Sequence, residues 1–482
     1  MGFTGGNQYR GRSALAQTRI EAGESPVGEA DTTSGVQRFR RSFASVAEKV
    51  FVGLHSMGAV MHSLESERDD KILLLGTRGS AAAYAIRDFL TRSDVPFEWI
   101  ELANDEEARG DALVDGLNDP RLPICIFPDG TRIEHPTIRQ ITEKLGWYRN
   151  PSQSEYDLSI YGAGPAGLSA AVYGASEGLK TVLVERFAVG GRAGTSPKIE
   201  NYLGFPNGIS GAELADRARE QACRFGAEIL LLREGVRGEL LPGKGVVYLK
   251  DGTKIVSKAS ICATGIDYRT LNLPNEERLR GAGVYYGAGS SEASLCLSHP
   301  VVVVGGGNSA AQAAVHFARY ASKVTMVVRD RSLKETVSQY LIDRIHATPQ
   351  IEVLTRTEVV ALEGDRILEA VTVRNKDTGE ERTIKTSWLF LCLGGAPHTE
   401  WAAELGIVRD EAGYLVTGPD LSPNGHRPPN WQLDRDPYYL ETNVPGVFAA
   451  GDVRHNSVKR CASAVGEGAM AVTFVHRYVT TG

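Results

Sequence analysis

The sequence holds only six cysteines in 482 residues, Cys125, Cys223, Cys262, Cys296, Cys392 and Cys461, and no two stand at CxxC spacing. That excludes a local dithiol motif. The lack of any Cys/His cluster at ligand spacing leaves no metal site to expect. Scattered single cysteines in a chain of this size fit buried thiols in a reducing compartment, so the cytoplasm is the expected location. No apolar run approaches the ~20 residues of a membrane span, and the opening MGFTGGNQYRGR has no apolar signal-peptide stretch. It also fails the myristoylation pattern, because Gly6 stands where Ser or Thr is required. Excess positive charge is missing as well. With 53 Lys+Arg against 59 Asp+Glu the net charge is −6, which favours neither nucleic acid nor an anionic membrane as partner.

What the chain has in excess is glycine: 53 residues, about 11% of the chain, against a usual ~7%. Otherwise the composition is that of a globular protein, 42% apolar and 23% charged with a mean hydropathy of −0.20. The length exceeds one ordinary domain and suggests about three. Residues 1–66 form an uneven extension, polar and turn-rich over 21–36, with helical apolar spacing over 37–64. From Lys71 the order turns to strand (KILLLG), helix (AAAYAIRDFLTR), strand (FEWIEL), a hairpin (LPICIF and TRIEH) and a closing helix (TIRQITEKLGW). This βαβ–ββα order over 67–147 is the thioredoxin-fold order. Residues 148–155 read as a linker.

Two glycine-rich strand–turn–helix units organise the rest. In the first, DLSIY runs into Gly162-x-Gly164-Pro165-Ala166-Gly167, a helix follows, and strand TVLVE ends on Glu185. The three glycines serve a tight turn, close approach of backbone to a pyrophosphate, and close helix–strand packing. The helix N-terminus offers N–H groups and a favourable dipole to phosphates, and Glu185 stands where a carboxylate accepts hydrogen bonds from a ribose. The second unit, Gly305-x-Gly307-Asn308-Ser309-Ala310 after VVVV, ends its second strand on Arg329-Asp330-Arg331. Arginine there can pair with a 2′-phosphate, so NADPH is expected, with NADH possible. A solvated charge cluster is the competing reading of those arginines.

GAGPAGLSAA, ENYLGFP, ATG, VVGGGNSA and PGVFAAGDV follow one another in this order. Together they resemble the low-molecular-weight thioredoxin reductases, FAD- and NAD(P)-dependent pyridine nucleotide-disulfide oxidoreductases. The resemblance implies an α/β fold with two Rossmann-like, three-layer ββα dinucleotide-binding domains. The FAD domain, 156–280 and 397–482, is split by an NAD(P)H domain, 281–396. It also implies a homodimer. Gly190, Gly191, Arg192 and Asn201 then fall in flavin-side loops, as do Thr264 and Gly265. Gly451 and Asp452 meet the flavin ribityl phosphate region, and Lys459, Arg460 and Cys461 face the isoalloxazine, where the family usually has Arg-Gln-Ala.

The chain departs from the family in GVYYGAGSSEASLC. The family's two cysteine positions fall on Gly287 and Ser290, neither of which carries electrons, and Cys296 reads as a buried structural thiol. In the N-terminal unit Ser80-Ala81-Ala82-Ala83 stands where a glutaredoxin carries CPxC, with Pro123 matching the expected cis-proline. That unit reads as a redox-dead thioredoxin fold without CxxC, kept for binding, docking or dimerisation, or with Ser80 at an anion site. The expectation is hydride transfer from NAD(P)H to FAD, then direct transfer to a non-dithiol acceptor: a small molecule, quinone, oxygen or electron-transfer protein. A flavin oxidase with a vestigial nicotinamide site, or a non-catalytic flavin-binding sensor, is the alternative. Tyr286 and Glu292 are the first candidates for acid–base work, and His398 and His455 the next.

Overall fold

Short apolar runs bounded by glycine make parallel strands covered on both faces, and such runs form the frame of this chain. The computed structural model describes residues 70–241, 243–287, 292–422, 425–429 and 431–481. The helix expected over 37–64, the polar stretch 21–36 and Ser290 lie outside the described residues.

The first strand–turn–helix unit is β5 (Tyr156–Tyr161), α4 (Pro165–Ser176) and β6 (Thr181–Glu185), counting β1–β4 and α1–α3 for the segment before it. α5 (Gly211–Arg224), β7 (Glu228–Leu231), β8 (Gly235–Leu241), β9 (Lys244–Leu249) and β10 (Lys254–Cys262) follow. They form a sheet of order β7-β6-β5-β10-β9-β8, with β21 (Val447–Ala449) paired to the end of β10. β5, β6, β7, β10 and β21 run parallel, and β8 and β9 return as an antiparallel meander. After the short α8 (Glu400–Glu404), the long C-terminal helix α9 (Cys461–Thr481) packs on α4. Leu158, Ile160, Leu168, Phe448 and Val472 share the core beneath them.

The second unit is parallel throughout: β12 (Val284–Tyr286), β13 (Pro300–Val304), β14 (Lys323–Val327), β15 (Ile351–Leu354) and β19 (Leu389–Leu391), in the order β12-β19-β13-β14-β15. α6 (Asn308–Phe317) follows β13, and α7 (Gln339–His346) packs beside it. Alanines 310, 311, 313 and 314 line the buried face of α6, letting it lie close to the sheet, where the Phe317 and Phe390 rings stack 4.1 Å apart. A three-stranded meander, β16 (Thr357–Glu363), β17 (Ala370–Asn375) and β18 (Glu381–Lys385), covers the other face. The two units are joined by a ribbon of two residues a side, β11 (Asp267–Tyr268) against β20 (Gly395–Ala396).

Ahead of both lies a four-stranded sheet, order β2-β1-β3-β4. Its strands are β1 (Ile72–Gly76), β2 (Phe97–Glu101), β3 (Ile124–Ile126) and β4 (Arg132–Glu134), with helices α1 (Ala81–Arg92), α2 (Asp105–Gly110) and α3 (Ile138–Lys144). β1 and β2 are parallel, while β3 and β4 are antiparallel to their neighbours. The Ser80 hydroxyl caps α1, accepting from the Ala83 N–H at 3.2 Å. The Leu122–Pro123 peptide is cis. Among the described residues no helix is long and apolar enough to cross a membrane.

Phe448, on β21 beside β10, is fully buried in the core it shares with α4 and α9. Phe448→Ala should remove about 3–5 kcal/mol of stability, read as a lowered thermal midpoint; an unchanged midpoint would show that this core is not shared.

Candidate active site

The local geometry of both glycine turns follows from what a side chain would strike. At Gly162 (φ +103°) a Cβ would collide with the Ala263 carbonyl, and at Gly167 with the carbonyl of Gly162. Gly167 thus brings α4 down against the turn, while Gly164, at the helix N-cap, has open space where its Cβ would be. That pairing of a sealed glycine with an open one leaves room for a phosphate at the helix N-terminus. At the second turn Gly305 (φ +144°) lies so that a Cβ would be 2.5 Å from the Cys392 carbonyl oxygen, and Gly307 again faces open space. The residues present therefore fit two dinucleotides.

Both turns open into one cavity of about 2040 Å³. Of the residues expected at the flavin, Gly162, Gly164, Pro165, Ala166, Glu185, Gly191, Arg192, Asn201, Thr264, Gly265, Gly451, Asp452, Lys459, Arg460 and Cys461 line it. So do Gly305, Gly307, Asn308, Ser309, Arg329 and Tyr286 from the second unit. Gly167, Gly190 and Ala310 lie behind the wall: Gly167 packs α4, and the Gly190 N–H donates to the Ala163 carbonyl at 2.7 Å. Ala310 is buried in the second core. Arg331 is exposed and outside the cavity.

Glu185 is buried, and its carboxylate accepts from the Ala163 N–H at 2.7 Å and the Phe187 N–H at 2.8 Å. Each oxygen keeps a lone pair for a ribose hydroxyl. Burial raises the Asp452 carboxyl above its ordinary value, against the opposing pull of Lys459 and Arg192. Lys459 donates to the Asp452 carbonyl at 2.8 Å. Burial, with the Asp452 charge adding to it, pushes the Cys461 thiol up to about 11, so it is a thiol at neutral pH.

The acid–base candidates come out differently from one another. The Tyr286 hydroxyl donates to Glu276 Oε1 at 2.6 Å, and burial pushes its pKa upward. Glu292, expected at the cavity, does not line it: it is fully buried and pairs with Arg87 at 3.5 Å. His398 lines the cavity, with Nε2 at 3.2 Å from Asp267, whereas His455 is occupied by Asp410 at 2.6 Å outside it. Cys296 is buried and donates to the Glu292 carbonyl at 3.2 Å.

Two features escaped the sequence. Gly287, the first of the family's cysteine positions, has φ +87°, and a Cβ there would collide with the Tyr268 hydroxyl. Tyr268 also bonds the Thr195 hydroxyl at 3.1 Å, under the Arg192 guanidinium 4.4 Å from its ring centroid. The other is α1, which supplies Ala81, Tyr84, Ala85, Asp88 and Arg92 to the cavity wall. No local motif marks either.

A sheet pair carrying two glycine-cradled nucleotide sites over a shared cavity defines a two-cofactor oxidoreductase. Residues 156–468 match the family model described as pyridine nucleotide-disulphide oxidoreductase, and the chain belongs to that family. It is thus a flavoprotein oxidoreductase with Rossmann-like FAD and NAD(P) domains. The chain is 35% identical to thioredoxin reductase of Bacillus subtilis over 67% of its own length and 95% of the relative's. It is 33% identical to thioredoxin reductase 1 of Saccharomyces cerevisiae, over 67% and 98%. The crystal structure of Lactococcus lactis thioredoxin reductase in its FR conformation superposes with a TM-score of 0.60 at 30% identity, covering 68% of this chain and all of that one.

These relatives correct the expected acceptor. A non-dithiol acceptor, whether small molecule, quinone, oxygen or electron-transfer protein, was expected from Gly287 and Ser290. Relatives matched over nearly their whole length are named thioredoxin reductases, which overturns that reading and the partner drawn from it. Gly167→Val should give protein without bound flavin, read as loss of visible absorbance on purification; retained yellow colour would show that α4 tolerates displacement from the turn.

Proposed function

We propose that this chain is an NADPH-dependent flavoprotein that reduces a thioredoxin-type protein disulfide, with both reacting sulfurs supplied by the acceptor. The overall reaction consumes NADPH, a proton and a disulfide, and yields NADP⁺ and two thiols. The observation that carries it is the opening of two nucleotide cradles into one cavity. The relatives' names support the class of acceptor. FAD, when bound, supplies the two-electron carrier between nicotinamide and disulfide.

The chain's own residues set the positions. N–H groups at the start of α4 and α6 hold the pyrophosphates, Glu185 takes a ribose, and Asp452 and Arg192 border the flavin. Arg329, exposed at the end of β14, takes the 2′-phosphate of NADPH. A redox disulfide of the chain's own has no place in this reading. Gly287 has a glycine conformation beside Tyr268, no two of the six cysteines stand at CxxC spacing, and all six are free. The domain expected over 67–147 is thioredoxin-type without a CxxC, supported by the strand order β2-β1-β3-β4 and by Ser80 in the capping position. The chain works in the cytoplasm as a homodimer.

Anaerobic titration with NADPH tests the electron count. One NADPH per flavin should complete bleaching, and subsequent oxidised thioredoxin should restore the oxidised flavin band. Uptake of two NADPH per flavin would reveal an internal disulfide and sink the proposal, as would a flavin that thioredoxin leaves reduced. Arg329→Ala should weaken NADPH binding about tenfold or more while leaving NADH little changed; equal losses for both nucleotides would remove Arg329 from the 2′-phosphate site.

A further inference from the structure

The ribbon of β11 and β20 is a thin joint, two residues on each side, between two units that must hold their nucleotides in register. α1 lies across that joint and touches both. Toward the second unit, the Tyr84 ring meets Tyr285 with centroids 5.2 Å apart. The same ring covers Gly281, where an added Cβ would be 2.8 Å from Tyr84 Cδ1. One turn on, Arg87 pairs with Glu292 at 3.5 Å, with side-chain exposures of 8% and 1%. Ahead of the helix Arg78 lies over Trp388, 4.9 Å from its ring centroid, and a Cβ at Gly79 would come within 2.5 Å of Ile367.

Toward the first unit, Arg92 donates to the Gly191 carbonyl at 3.0 Å and lies over Phe187, 5.2 Å from the ring centroid. Phe187 meets Phe89 edge-on at 5.8 Å, and the neighbouring Ala188 is buried in the same cluster as Phe89 and Leu90. A single helix of twelve residues thus holds a flavin-side loop at one end and the second nucleotide unit at the other. A buried ion pair loses much of its favourable energy when the partners separate into a non-polar gap, so Arg87–Glu292 resists sliding at that contact.

We propose that the N-terminal four-stranded domain is a clamp that fixes the orientation of the second nucleotide unit over the first, with Tyr84 and Arg87 as positioning residues for hydride delivery. This rests on the reading that NADPH reduces the bound flavin. The clamp uses the helix and its side chains and needs no thiol, so Ser80-Ala81-Ala82-Ala83 suffices where a redox domain would need cysteines. The second unit's position then depends on three joints: the two strands of the ribbon, and α1.

The test compares wild type with Arg87→Ala and, as a milder second variant, Arg78→Ala, whose side chain is exposed and lies outside the core. Hydrogen–deuterium exchange is followed over 266–269 and 394–397, with anaerobic stopped-flow bleaching by NADPH on the same samples. The expected result is faster exchange across the ribbon in both variants, flavin content retained, and bleaching slowed about tenfold in Arg87→Ala, since small misplacements of reacting groups are costly. Arg87→Lys, which keeps the cation, should recover part of the rate. Unchanged ribbon exchange in both variants would overturn the clamp. Faster exchange with an unchanged bleaching rate would overturn its part in hydride delivery. If NADPH fails to bleach the wild-type flavin, the functional reading falls and with it the hydride role, while the exchange comparison still decides whether the clamp exists.

Discussion

Backbone lies directly on backbone at the first glycine turn, and the rest of the cavity is measured from that contact. Gly167 sets α4 against the Gly162 carbonyl, Gly162 sets the turn against Ala263 at the end of β10, and neither position has room for a methyl group. The C-terminal helix continues the same stacking. A Cβ at Gly468 would collide with the Ala166 carbonyl, and one at Gly451 would lie 2.9 Å from Ala166 Cβ. Segments nearly three hundred residues apart in sequence are therefore held to each other through α4. Asp452 and Lys459 reach the cavity because α9 can approach that closely.

This explains which parts were legible in the sequence. Strand, glycines, helix and acid form a fingerprint within thirty residues, and the reason for each residue is local. Both nucleotide units and Glu185 could be read from it, while the Gly451–Asp452 turn came only from the resemblance to the family. The four strands before them and the helices α1 and α3 likewise follow from hydrophobic period and turns, while the short α2 between β2 and β3 was not read. What depended on distant packing was not legible. Glu292 finds Arg87 on α1, some two hundred residues earlier, and Tyr268 fills the space beside Gly287 from the ribbon. Nothing in either local sequence signals the partner.

The acceptor was misread for a related physical reason. Gly287 and Ser290 show that sulfur is missing from one place on this chain, but the sulfur of an acceptor comes from another molecule. The class of that molecule is set by the surface it meets and not by the side chains it makes unnecessary. Burial has the same bearing on the remaining cysteines. It pushes Cys125, Cys262 and Cys392 up to about 12 and Cys461 to about 11, so at neutral pH they behave as small apolar side chains.

The glycine at 287 also bears on how this chain can change over generations. Cysteine at that position needs a backbone conformation that side chains rarely adopt, and it needs the space now held by the Tyr268 hydroxyl. Tyr268 is in turn tied to Thr195 and lies beneath Arg192. A codon change that placed a sulfur there would strain the turn. A side chain at this turn therefore requires a change in the ribbon first, and that ribbon is what joins the two nucleotide units.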